Sequence, residues 1–247
     1  MSFESLYLLH TQPDPQRLVA WAARHRLLDK EGDLGYALHA LLHAAFGEQA
    51  PQPFRYLDAE QGLLAYARLD ATGLAQLVAL ADPDVAAALG LSQTLHHAGM
   101  NVRPFPTQWA VGHTLGFEVR VRPILREGKT GRERDVFLVA AEKSGDSRLD
   151  RSEVYVQWLH DLLARQGGAE LVNACMTRYQ RLGVTRKSHR GGADDVRHSR
   201  LVSGPDAVLS GQLRVTDSQV FAQLLANGLG RHRAFGFGLL LLRPVRS

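Results

Sequence analysis

Two kinds of hydrophobic periodicity alternate along this chain, in an order few architectures can satisfy. Phe3–His10 is rich in large apolar residues that partly alternate, the mark of a strand, and Pro13 and Pro15 end it. Gln16–Leu28 then carries helical spacing through Leu18, Val19, Ala22 and Leu27, and the polar stretch 29–33 interrupts it. Leu34–Phe46 repeats the helical pattern and stops at Gly47. Phe54–Asp58 and Leu63–Leu69 flank Ala59-Glu60-Gln61-Gly62, a hairpin signal with glycine in the loop. Asp70 or Thr72 caps a helix over Leu74–Leu80, Asp82–Gly90 adds a short one, and Leu115–Val121 alternates as a strand. The reading is strand, helix, strand, strand, helix, strand.

That order predicts a ferredoxin-like βαββαβ unit, with its helices on one face of an antiparallel sheet. The second half repeats it. Asp135–Ala141 reads as a strand, Ser152–Arg165 as a helix with Val154, Trp158, Leu159 and Leu162 inward, and Ala207–Val215 as an alternating strand. Leu171–Gly183 fits a helix or a strand, Asp217 caps a helix running to Ala226, and Gly236–Leu242 forms the last strand. The expected fold is α+β, two ferredoxin-like halves in tandem. An N-terminal domain spans 1–125 and a C-terminal one 132–247, joined where Pro123, Gly128 and Gly131 lie.

The 247 residues suit two domains of that size. No apolar run approaches the roughly 18 residues that span a membrane. Met1–Tyr7 lacks the regions of a signal peptide, and a single cysteine excludes a disulfide framework, so a cytoplasmic protein is expected. Charge is uneven: residues 1–110 carry a net −4 and 111–247 a net +8. The basic residues are 25 Arg against 4 Lys. Arginine's planar fork suits bidentate phosphate contacts, and a basic half is the footprint of an anionic polymer.

The C-terminal run Gly228-Leu229-Gly230-Arg231-His232-Arg233-Ala234-Phe235-Gly236-Phe237-Gly238 places two G-x-G pairs around a basic, aromatic centre. Glycine lets a ligand approach the main chain, and exposed amides beside arginines suit a phosphate backbone. A helix precedes these glycines and a strand follows, the reverse of the dinucleotide fingerprint, and no Lys-Ser or Lys-Thr completes a P-loop. The same residues also suit a plain turn with solvated arginines.

Tyr36, His39 and His43 share one face of a helix, so a phenol and two imidazoles line one groove. Histidine moves protons near neutrality, as attack by a ribose 2′-hydroxyl on the neighbouring phosphate requires. Ala40 follows His39, so the glutamate of a zinc H-E-x-x-H is absent. Arg120, Arg122 and Arg126, with Lys129, Arg132 and Arg134, form a basic strand and loop that could track a backbone. Arg178, Arg181, Arg186, Lys187, His189 and Arg190 form another. His96-His97 has no interpretable pattern, and Cys175 among apolar residues reads as core.

Tandem ferredoxin-like halves, Tyr36-x-x-His39 on an early helix and the terminal glycine pairs before Leu239–Leu242 together resemble the CasE family. These are CRISPR precursor-RNA endoribonucleases of type I-E Cascade complexes, of RAMP type. The resemblance is strongest over Gly35–Phe46, Phe117–Pro123 and Leu224–Pro244. It implies metal-independent cleavage of repeat RNA at the base of its hairpin, leaving a 2′,3′-cyclic phosphate and a 5′-hydroxyl. No cofactor is implied. The implied partners are the hairpin of the crRNA and other Cascade subunits, with no membrane. It makes His39 the catalytic histidine and Tyr36 an active-site tyrosine, with Lys187 neutralising the phosphate and Arg186 and Arg190 as close alternatives. Arg120, Arg122, Arg126, Arg231 and Arg233, with Gly228, Gly230, Gly236 and Gly238, then belong to the RNA surface. Residues 12–33 add a helix to the family pattern, and 143–151 and 186–200 are longer than in it. A binding-only RAMP subunit remains the alternative, and a metabolic enzyme using the loop for a nucleotide a more distant one.

Overall fold

The computed structural model describes residues 5–28, 33–91, 99–128, 131–144, 148–188 and 198–245, without the side chains of 184–202. The first half runs β1 (Leu6–Thr11), α1 (Pro15–Arg24), α2 (Gly35–Phe46), β2 (Phe54–Asp58), β3 (Gly62–Ala67), α3 (Ala71–Leu80), α4 (Pro83–Ala88) and β4 (Asn101–Phe105). Helix starts follow side-chain caps: Asp14 accepts the Gln16 and Arg17 amides, Asp70 that of Gly73 and Asp82 that of Asp84. The sheet order is β2-β3-β1-β4, with β1 antiparallel to both neighbours.

The second half runs β5 (Thr114–Val121), β6 (Ile124–Arg126), β7 (Glu133–Asp135), α5 (Val136–Ser144), α6 (Arg151–Gln166), β8 (Ala169–Ser188), β9 (His198–Val215), α7 (Ser218–Asn227), a short 3-10 turn (Arg233–Phe235) and β10 (Leu240–Pro244). Its sheet order is β10-β5-β9-β8. In both sheets the first strand lies between the last and the third, so the ferredoxin-like order occurs twice, in tandem. β6 and β7 form a separate two-stranded ribbon.

Four details differ from the sequence reading. Thr114–Val121 opens the second sheet instead of closing the first, so the change from one sheet to the other falls at 106–113 and not near 125. The fourth strand of the first sheet is β4, hidden in sequence by Pro104. At the sheet edge a proline removes no ladder bond the fold needs. Residues 136–144 are helical, because the Asp135 carboxylate accepts the Phe137 amide at 2.9 Å and starts a turn that Ala140, Ala141 and Glu142 extend. Cys175 is exposed on β8 and not core.

The first sheet buries both faces. Leu9, Leu63 and Ala65 join α1, α2 and α4 in one core, while Leu6, Leu8 and Tyr66 enter the core of the second half. This explains why β1 reads as a nearly continuous apolar run. The Tyr66 hydroxyl donates to the Leu240 carbonyl at 3.1 Å, tying β3 to β10 across the seam. β9 continues past its pairing with β5, which ends at Val121↔Ala207, and with β8 forms a two-stranded arm reaching Ser188↔His198.

Candidate active site

α2 presents Tyr36, His39 and His43 on one face, as its periodicity predicts. The His39 and His43 rings meet edge to face at 4.5 Å, and Tyr36 lies 6.2 Å from His39 between ring centroids. The other wall comes from the far end of the chain. The Phe235 ring stacks near Tyr36 at 5.7 Å and stands edge-on to His39 at 5.3 Å. The approach is tight: a Cβ on Gly35 would lie 2.5 Å from the Phe235 carbonyl oxygen. A side chain at 35 would therefore push the loop away from α2.

Burial, and secondarily the charge of His43, push His39 down to about 4. Its imidazole is therefore neutral at physiological pH and can accept a proton. His43 is exposed beside it.

The loop owes its shape to glycine. Gly228, Gly230, Gly236 and Gly238 all have φ between +72° and +84°, a region closed to most residues. Gly238 is the most constrained: its amide donates to the Arg120 carbonyl at 2.7 Å, its carbonyl accepts the Leu229 amide at 2.9 Å, and a Cβ there would meet the Leu229 oxygen at 2.3 Å. These bonds belong to a loop, so β10 begins only at Leu240 and not at Gly236.

Arg120 and Arg122 do share a face of β5, but that face is covered. Arg120 makes a bidentate pair with Asp206 on β9, both contacts 2.9 Å, and Asp206 is fully buried. Asp33, just before α2, lies 3.7 Å away, and the Phe237 ring sits 4.3 Å below the guanidinium. Arg122 is 1% exposed and donates to the Leu182 carbonyl at 3.3 Å. Both arginines are structural, because the glycine loop and the entry to α2 close over them. They lie beneath the site, engaged within the protein and away from its exposed surface.

Arg126 is exposed on β6, and Arg233 is exposed on the loop with Nη1 donating to the Asn227 carbonyl at 2.6 Å. Arg231 donates through Nε to Glu133 at 2.9 Å, and the neighbouring His232 meets the other Glu133 oxygen at 2.7 Å. Lys187 and Arg186 fall on the β8 arm, but their side chains lie outside the described residues, as do all of Arg190, Lys129, His189 and His96-His97. Sequence reasoning passed over Phe235, His232 and Glu133. Phe235 and His232 stood inside the recognised loop, whereas nothing local marks Glu133.

A cleft of about 600 Å³ opens beside Phe235, lined by Arg68, Glu133, Asn227, Arg231, His232 and Arg233 among others. Among the described residues no cluster of three His, Cys, Asp or Glu could hold a metal ion, and no helix is long and apolar enough to cross a membrane.

A family model described as CRISPR associated protein matches residues 6–244. The chain belongs to that family. The solved structures it is similar to include CRISPR endoribonuclease Cse3 bound to a 19-nucleotide RNA, with TM-score 0.62 and 21% identity over 97% of this chain and 98% of that one. Cse3 of Thermus thermophilus, bound to an RNA representing a pre-cleavage complex, matches with TM-score 0.59 and 20% identity over 98% and 100% of the two chains. A CRISPR-associated protein from the same organism matches with TM-score 0.52 and 17% identity, again over 98% and 100%. No curated protein sequence matches. These likenesses span the whole family member and establish the shared fold, both halves included.

Proposed function

We propose that this family member is an endoribonuclease that cuts CRISPR repeat RNA at the base of its hairpin without a metal ion, and then stays on the product as a subunit of a Cascade complex. One observation carries the reading: a neutral histidine, His39, sits beside Tyr36 at the seam where α2 meets the glycine loop of the basic half. In this reaction His39 takes the proton of a ribose 2′-hydroxyl, whose oxygen attacks the adjacent phosphorus. The bond to the 5′-oxygen breaks, and that oxygen takes up a proton, leaving a 2′,3′-cyclic phosphate and a 5′-hydroxyl. Tyr36 lies in the same ring cluster and orients or protonates the reacting oxygens. Lys187, or Arg186 or Arg190 near it, supplies positive charge to the phosphate.

Three things support the substrate class. The 111–247 half carries the net +8. β8 carries Arg178 and Arg181, both exposed, ahead of Arg186 and Lys187 on the arm. Two of the solved structures the chain is similar to are of Cse3 bound to RNA.

Incubation with a repeat-hairpin RNA in EDTA, followed by mapping of the product ends, tests the proposal. The expected products are one cut with a cyclic phosphate and a 5′-hydroxyl, and His39→Ala should lose at least about 10²-fold in rate, the usual worth of a positioned base. Binding without cutting by the wild type would favour the binding-only reading, in which His39 merely packs against Phe235.

A further inference from the structure

A buried acid that contacts two residues of the glycine loop lies outside both sequence motifs. Glu133 stands on β7, in the two-stranded ribbon, and its side chain is only 7% exposed. Its two carboxylate oxygens are both engaged, one by Arg231 Nε at 2.9 Å and the other by His232 Nε2 at 2.7 Å. His232 is itself 5% exposed and has φ +61°, the left-handed region where a residue with a side chain is strained. Such a conformation persists only where surroundings hold it. The side chain of His232 meets Glu133 in these surroundings. The His232 carbonyl then accepts the Phe235 amide at 2.8 Å and closes the short turn. The ring so presented is the one that stacks near Tyr36 and stands edge-on to His39.

We propose that Glu133 is a positioning residue for the active site: it holds His232 left-handed, and so seats Phe235 against Tyr36 and His39. The chain of contacts runs from the ribbon of one half to the helix of the other, with each link a hydrogen bond or a ring contact. Glu133 touches neither catalytic side chain and acts through His232 and Phe235 alone. Its carboxylate is held down to about 2 by the His232 and Arg231 contacts, which outweigh the cost of its burial, so the clamp stays charged throughout the neutral range. The inference rests on the catalytic reading of His39.

The test is single-turnover cleavage and equilibrium binding of a repeat-hairpin RNA by the full chain. Glu133→Ala should slow cleavage by about 10²-fold, the scale of a misplaced catalytic group, while RNA affinity changes less than threefold. Adding His232→Gly should recover at least tenfold of that loss, because glycine takes the left-handed conformation without a clamp. Glu133→Gln, which keeps the shape of the side chain, guards against a variant that fails to fold, and should fall between wild type and Glu133→Ala. Cleavage by Glu133→Ala at the wild-type rate, or a loss that His232→Gly does not relieve, would overturn the proposal. His39→Ala in the same assay separates the two readings: if it still cuts, the catalytic assignment fails, whereas if only His39→Ala is inactive, the clamp alone fails.

Discussion

His39 combines burial with a charged neighbour, and the two effects act in the same direction on its proton. Both disfavour imidazolium, so the group is held to about 4 and is neutral above that pH. The sign follows for catalysis. In the proposed reaction His39 is protonated below pH 4 and cannot accept from the 2′-hydroxyl, so kcat/KM should rise about tenfold per unit up to roughly 4 and level off above it. In the proposed complex, phosphate charge beside the imidazole would raise its pKa, placing the acid limb of kcat at higher pH than that of kcat/KM. His43→Asn removes the neighbouring charge and should move the kcat/KM limb upward. A pH–rate profile that stays flat down to pH 3.5 would remove His39 as the base. The residue types were legible in sequence, since Tyr36, His39 and His43 fall at helical spacing. The low proton affinity was not, because it depends on Phe235 closing over the ring from the other half of the chain.

Among the elements, the glycine loop carries the most constraint for its length. Gly238 bonds through both its amide and its carbonyl, at a φ of +81°, with no room for a Cβ. Gly238→Ala adds left-handed strain of about 1–2 kcal/mol and overpacking of about 1–3 kcal/mol. A loss of about 2–5 kcal/mol in urea unfolding at an unchanged m-value is expected, and a loss below about 1 kcal/mol would show that the loop relaxes freely. Element boundaries were the weaker part of the sequence reading, for local reasons. β4 was hidden by an edge proline, and α5 by β-branched residues that Asp135 nonetheless caps into a helix. β10 starts late because the preceding glycines are spent on loop bonds.

Across the whole molecule, arginines divide into those that build and those that face outward. Arg120 and Arg122 lie under the loop, whereas Arg233 stands exposed on it. Each phosphate contact contributes about one unit of log–log salt slope, so Arg233→Ala should lower the slope of repeat-RNA binding by about one. Arg122→Ala should instead weaken folding and leave the slope unchanged, which circular-dichroism melting beside filter binding resolves. An Arg233→Ala slope equal to wild type would leave that side chain no phosphate to contact. The Tyr36–His39 face, the glycine loop and most of the strands and helices, though not β4 or α5, were determined by local sequence, because periodicity, capping and glycine's backbone freedom act over a few residues. Which strand joins which sheet, the burial of Arg120 and Arg122, and the Glu133 clamp were decided only by tertiary structure. Each depends on a partner about 60–100 residues away, and no local pattern encodes a distance of that kind.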